Sequence, residues 1–151
     1  MSWPVFHGYH VQQYSDTLKI LKKFFEEHRN IVRVVELGTL WGGMGLFLGS
    51  CIAPLGRVLT IDVEVLIEGG YDLWSQAAEG FNVVFLLANV HKSETVQKVS
   101  EFIGNNRALI LCDDSNCAPD RVKEIDTYCR VLKCGDYLLA HDYGKSFTLN
   151  S

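Results

Sequence analysis

The stretch VVELGTLWGG, residues 34–43, does most to limit what this chain can fold into. It sets an apolar strand, an acid and a glycine turn side by side. Val34, Val35 and Leu37 form the β-branched and aliphatic run of a buried strand, while Gly38, Gly42 and Gly43 allow a sharp turn that passes close to a ligand. The MGLFLGSCIA that follows reads as helix. A strand, a glycine turn and a helix in that order place backbone N–H groups and the positive end of the helix dipole beside the turn, so a nucleotide-like ligand is predicted there.

Spacing narrows the ligand. A phosphate-binding loop needs Gly-Lys-Ser/Thr after its glycines, and no such tripeptide follows here, which disfavours a nucleoside triphosphatase. A dinucleotide fingerprint needs G-x-G-x-x-G, whereas Gly38 is followed by Thr39 and Leu40 before glycine returns at Gly42, which disfavours pyrophosphate binding. What remains is Glu36-x-Gly38-x-x-x-Gly42, with an acid two residues ahead of the turn, where it attracts a cationic or amine-bearing ligand. S-adenosylmethionine carries that charge.

The rest of the chain alternates strand and helix. Residues 1–12 mix aromatics with Pro4 and Gly8 without a clear period and are expected to form an arm, in which His7 and His10 pack or face solvent. DTLKILKKFFEEHR, from Asp16, carries the apolar stripe of an amphipathic helix with Ser15 or Asp16 as N-cap. After an APLGR turn, VLTID is a second strand ending at Asp62. An acid at the tip of the second strand, about 20 residues past the glycines, accepts hydrogen bonds from ribose hydroxyls in nucleotide-binding α/β folds. A loop and a short helix fill residues 63–80, where Tyr71 and Trp74 are expected to pack. NVVFLLAN reads as a third buried strand ending at Asn89, which is placed to contact an adenine edge, and Ser93 is expected to cap a helix over about 93–104.

RALILCDD is the fourth strand, a helix runs from about Pro119 to Leu132, and YLLAHD is the fifth strand after a KCGD turn. Adjacent acids at a strand's carboxyl end repel each other and need a cation, a proton or a hydrogen bond. Asp113 or Asp114 with Asp142, joined by His141, makes an oxygen-rich set suited to magnesium or manganese; the alternative is that these residues cap strands and helices. The alternation predicts one α/β domain with a doubly wound parallel sheet, right-handed crossovers and helices on both faces.

Composition excludes several classes. With 151 residues, 48% hydrophobic and 21% charged, one core is expected and extensive disorder is not. A net charge of −4 provides no basic stripe for nucleic acid. No apolar run approaches the roughly 20 residues of a membrane span and the N-terminus lacks a signal peptide's order, which leads to the expectation of a cytoplasmic protein with no membrane partner. The five cysteines show no C-x-x-C spacing and read as reduced thiols.

Three segments, VVELGTLWGG, LTID and LILCDDSNCAPDRVKEIDTYCRVLKCGDYLLAHDYG, together resemble the class I S-adenosylmethionine-dependent methyltransferases, within them the branch similar to cephalosporin hydroxylase-like and rhamnosyl O-methyltransferase-like proteins. The resemblance runs from about residue 31 to 144. It implies a Rossmann-like sheet of order 3-2-1-4-5. It also implies that Glu36, Gly38 and Gly42, with Thr39 and Gly43 in the same turn, shape the methionine end of the cofactor site, with Asp62 on the ribose, Asn89 near the adenine and Asp113 alongside. A divalent ion, where the family uses one, would be held by Asp113, His141 and Asp142, lowering the pKa of a substrate hydroxyl, and His141 or Lys145 is an alternative base. The sequence departs from the pattern at Leu40, where a middle glycine is usual, and at Asn89, where many relatives have aspartate.

These folds usually add a hairpin of two strands after the fifth, and the sequence ends seven residues past Gly144, so that hairpin is not expected. The fifth strand would then lie at an edge, predicting a homo-oligomer through YLLA or the KSFTLNS tail. The expected activity is methyl transfer to oxygen of a small hydroxylated molecule or sugar. The alternatives are a protein that binds the cofactor without transfer, or a nicotinamide-dependent oxidoreductase built on the glycine turn and Asp62.

Overall fold

The structure, a computed structural model, describes residues 2–52, 54–114 and 118–140. Its elements in chain order are β1 (Val5–Phe6), β2 (Tyr9–His10), α1 (Ser15–Glu27), β3 (Ile31–Leu37), α2 (Gly43–Cys51), β4 (Arg57–Asp62), α3 (Tyr71–Gly80), β5 (Val83–Leu87), α4 (Ser93–Ile103), β6 (Arg107–Cys112), α5 (Ala118–Cys129) and β7 (Tyr137–Ala140). The last five strands to form a sheet lie in the order β5-β4-β3-β6-β7, all parallel. Counted along the chain, that is 3-2-1-4-5, with VVEL at the centre.

The pleat explains the layers, because alternate residues of a strand face opposite sides. Val34, Val58, Leu109 and Leu111 face a core made with Leu21 and Phe25 of α1, Leu46 and Phe47 of α2 and Trp74 of α3. Val35, Leu37, Leu59, Ile61 and Ile110 face a second core with Val99 and Ile103 of α4 and Tyr128 of α5. A central strand buried on both faces must be apolar throughout, which is why VVEL has a single polar residue at Glu36.

Several local expectations are corrected. The arm contains a hairpin, with Val5 opposite His10 and Phe6 opposite Tyr9. His7 and Gly8 form its turn with positive φ of 48° and 87°, and Phe6 packs edge-on against Phe47 of α2. The caps also differ: Ser15 and Ser93 are the first helical residues, and Tyr14 and Lys92 precede them without a side-chain cap. At α4 the N–H groups of Thr95 and Val96 both point to the Lys92 carbonyl, so the turn closes on backbone alone. The third parallel strand is only partly buried, because β5 lies at the sheet edge, where Val84 and Leu87 are 43% and 59% exposed. Cys51, Cys112, Cys129 and Cys134 are free thiols. No helix among the described residues is long and apolar enough to cross a membrane.

Candidate functional site

The carboxyl ends of β3, β4 and β6 open into a cavity of about 380 Å³, within the roughly 300–1,000 Å³ usual for small-molecule sites. β3 and its following turn contribute Glu36, Gly38, Thr39, Leu40 and Trp41, the tip of β4 contributes Asp62 and Glu64, and the tip of β6 contributes Asp113 and Asp114. The fourth wall comes from the arm, through His10, Gln12 and Gln13.

Glu36 leaves the central strand at the cavity floor and is 1% exposed. Thr60 of the neighbouring strand donates its hydroxyl to Glu36 Oε2 at 2.6 Å, and Thr39 Oγ1 lies 2.6 Å from Thr60 Oγ1. Burial pushes the Glu36 carboxyl well above its ordinary range; the Thr60 hydrogen bond opposes that rise, while the charges of Asp113 and Asp62 add to it. The sheet thereby sets a buried acid, reluctant to carry its charge, beneath the turn.

The turn is shaped by close approach. At Gly38, with φ of 100°, an added Cβ would lie 3.0 Å from the Asp113 backbone, so only glycine lets the ends of β3 and β6 converge. Leu40 takes the left-handed conformation at φ of 46°, which shows why a glycine is usual at this position. Asp62 stabilises the turn directly: its Oδ2 accepts the N–H groups of both Thr39 and Leu40 at 3.0 Å. Its Oδ1 accepts the Glu64 N–H at 3.3 Å, a longer contact that leaves this oxygen the better able to meet a ligand.

The structure separates the remaining predicted residues. Gly42 and Gly43 do not line the cavity. They stand behind the turn, where a Cβ on Gly42 would meet Trp74 Nε1 at 2.5 Å and a Cβ on Gly43 would overlap the His10 carbonyl. Trp74 donates its indole N–H to the Gly42 carbonyl at 3.0 Å and is 1% exposed, so it packs as expected. Asn89 is exposed, outside the cavity lining, and its side-chain oxygen accepts the His91 N–H at 2.8 Å to close a turn. His141, Asp142 and Lys145 lie outside the described residues.

Asp113 Oδ2 accepts the Gln13 amide N–H at 3.0 Å, and Asp113 Oδ1 lies 4.0 Å from Arg121 of α5. Arg121 in turn donates to the Cys112 carbonyl and lies 3.5 Å from Glu124. Burial raises the pKa of Asp114, and the nearby Asp62 charge raises it further. Among the described residues, His91, Asp114 and Glu124 bring potential metal-ligand atoms within 4.8 Å of one another.

Sequence reasoning did not find the arm's part in the site. His10 is half-exposed and packs edge-on against Trp41, within the expectation, and it also lines the cavity, its Nδ1 2.8 Å from Glu68 Oε1 and its backbone N–H donated to the same carboxylate at 2.9 Å. These hydrogen bonds hold the Glu68 carboxyl below its usual range. No local pattern announces such partners, because His10 and Glu68 are 58 residues apart and Gln13 and Asp113 are 100 apart.

Comparison with known proteins agrees with this architecture. The family described as Rhamnosyl O-methyltransferase/CmcI matches over residues 6–144. Among solved structures, a cmcI structure with SAH superposes with a TM-score of 0.62 at 16% identity, covering 92% of this chain and 66% of that one. A cofactor-bound protein from MTB, Rv0187, gives 0.68 at 20% identity, covering 86% and 56%. The MycE methyltransferase from the mycinamycin biosynthetic pathway, in complex with Mg, SAH and mycinamycin VI, gives 0.53 at 16% identity, covering 81% and 31%. At these identities the likeness is one of fold, and the chain spans less than two thirds of each of these proteins. No curated protein sequence matches. The extent of the family match establishes that the chain belongs to the rhamnosyl O-methyltransferase/CmcI family.

Proposed function

We propose that this chain, as a member of that family, binds S-adenosylmethionine in the cavity at the ends of β3, β4 and β6 and transfers its methyl group to a hydroxyl of a small molecule or sugar. The observation that carries the reading is the charge of the walls. Glu36, Asp62, Glu64, Asp113 and Asp114 all line the cavity, and among the described lining residues there is no Lys or Arg. A cleft lined by one sign of charge concentrates ligands of the other sign. That surface favours a sulfonium and an ammonium and opposes the pyrophosphate of a dinucleotide.

The residues present fit such a ligand. Asp62 keeps Oδ1 toward a ribose while Oδ2 holds the Thr39 and Leu40 amides, so the turn is fixed before the ligand arrives. Leu40, Trp41 and Met44 supply apolar wall. Burial disfavours a charge on Glu36, and a cation bound beside it would favour the carboxylate and offset that cost. When bound, S-adenosylmethionine supplies the methyl: the acceptor oxygen bonds to the methyl carbon, the carbon–sulfur bond breaks with its electron pair going to sulfur, and the hydroxyl proton leaves to a base.

A divalent ion, magnesium or manganese, belongs to the same proposal. The acids at the tip of β6 differ in fitness for it, since Asp113 already receives the Gln13 N–H, whereas Asp114 has a carboxylate oxygen within 4.8 Å of potential ligand atoms of His91 and Glu124. We assign Asp114 the larger part, with Asp113, His141 and Asp142 as further donors; in a reaction without the ion, His141 or Lys145 would be the base. The ion would lower the pKa of the acceptor hydroxyl. A homo-oligomer would use β7, which pairs with β6 on one side and forms an edge of the described sheet.

Calorimetric titration with S-adenosylhomocysteine and with NAD tests the cofactor. Saturable micromolar binding of the first and none of the second is expected. Preference for NAD, or no binding of S-adenosylhomocysteine, overturns the reading. Labelled methyl transfer to a panel of hydroxylated acceptors, with and without magnesium, then separates a transferase from a protein that only binds the cofactor.

A further inference from the structure

Gln13 carries a feature that the cavity's charge alone does not explain. It is 1% exposed, it lines the cavity, and its Oε1 has no hydrogen-bond partner among the described residues. Buried polar atoms are paired with few exceptions, and an exception at a ligand cavity asks for the missing partner. The orientation of the amide is fixed by chemistry. Nε2 meets the Asp113 carboxylate at 3.0 Å, and turning the amide over would set two oxygens against each other at that distance. Oε1 is therefore the unpaired atom, and it can only accept.

The missing partner must be a donor, and the surroundings give it a charge. Asp113 lies against Gln13, and Glu36 and Asp114 line the same cavity. A cationic N–H group is therefore the donor that this corner holds most tightly. Its place along the ligand follows from the sheet: Asp62 stands at the tip of β4, Gln13 and Asp113 stand at the tip of β6, and the Gly38 turn on β3 lies between them. With a ribose on Asp62, a ligand lying across the Gly38 turn would run toward Gln13. This inference rests on the cofactor reading above and extends it to the residue that follows the arm.

We propose that Gln13 Oε1 accepts a hydrogen bond from the α-ammonium group of the bound cofactor, with Asp113 balancing its charge. Gln13 thereby selects ligands that carry an amino-acid end, and it couples the arm's position to occupancy of the site.

The test compares two ligands on two proteins by calorimetry: S-adenosylhomocysteine and its analogue lacking only the α-amino group, on the parent chain and on Gln13→Met, which keeps the length and removes both the acceptor and the N–H that Asp113 receives. The parent should bind the deaminated analogue more weakly by a factor of at least about ten, since the hydrogen bond to Gln13 and the pairing with the Asp113 charge are both lost. Gln13→Met should lose a similar factor for S-adenosylhomocysteine and hold the analogue within about twofold of the parent. Equal weakening of both ligands by Gln13→Met, or a parent that does not distinguish them, overturns the inference while the cofactor reading stands. A parent that binds no S-adenosylhomocysteine overturns both. Thermal unfolding without ligand checks that the variant folds, and Gln13→Asn, one methylene shorter, replaces it if it does not, with the same discrimination expected.

Discussion

Replacing Asp62 by alanine tests whether the glycine turn is held by the strand beside it. Two backbone N–H groups, of Thr39 and Leu40, end on one carboxylate oxygen at 3.0 Å, and Asp62 is 8% exposed. A hydrogen bond to a charged group contributes about 1.5–3 kcal/mol, so losing both would cost about 3–6 kcal/mol if nothing replaced them. The turn borders the cavity, and water entering the vacated space recovers part of that, which leaves a loss of about 2–3 kcal/mol. Urea unfolding at pH 7, followed by tryptophan fluorescence, should show a midpoint about 1 M lower, given slopes of about 1–3 kcal/mol per molar urea. Asp62→Asn, which keeps one acceptor oxygen, should fall between the parent and the alanine variant. An alanine variant within about 0.5 kcal/mol of the parent, the usual range for surface changes, would refute the argument that Asp62 holds the turn.

Further outcomes follow from the same geometry. Glu36 keeps its proton in the folded chain to a higher pH than in the unfolded chain, where it titrates near 4.5, so its stabilising contribution is complete below that pH and fades as pH rises toward its folded value. Glu36→Gln should remove a decline of at most about 1.4 kcal/mol per pH unit from the urea stability profile; an unchanged slope counts against a protonated Glu36. Gly43→Ala, whose methyl would overlap the His10 carbonyl, should destabilise by about 1–3 kcal/mol and weaken ligand binding, since the hairpin must shift; full stability in urea would contradict the contact. Leu40→Gly relieves a left-handed leucine but frees the unfolded chain, and the two should offset to within about 1 kcal/mol.

The sheet was legible because its signals are local. VVEL, VLTID and RALILC are apolar runs bounded by turns, and their central positions follow from burial on both faces. Glu36, Gly38, Thr39, Asp62 and Asp113 were expected near one another because strand tips in a parallel sheet meet along one edge and the family resemblance points to the same places, and all five line one cavity. The arm was not legible. Gln13 and His10 acquire their places only when the hairpin docks on α2, through contacts such as Phe6 with Phe47, and nothing in MSWPVFHGYHVQQ marks the partners they meet. Gly42 and Gly43 illustrate a different limit. A glycine in a turn signals that something comes close, and here that neighbour is Trp74 or the hairpin backbone, which the sequence does not distinguish from a ligand.

The measurement that bears most directly on the central claim is a crystal structure of this chain with S-adenosylhomocysteine. The account predicts the ligand in the cavity at the ends of β3, β4 and β6, with its ribose hydroxyls on Asp62 Oδ1 and its amino-acid end beside Gln13 and Asp113. A ligand bound elsewhere with this cavity empty, or one whose ribose lies away from Asp62, would contradict it.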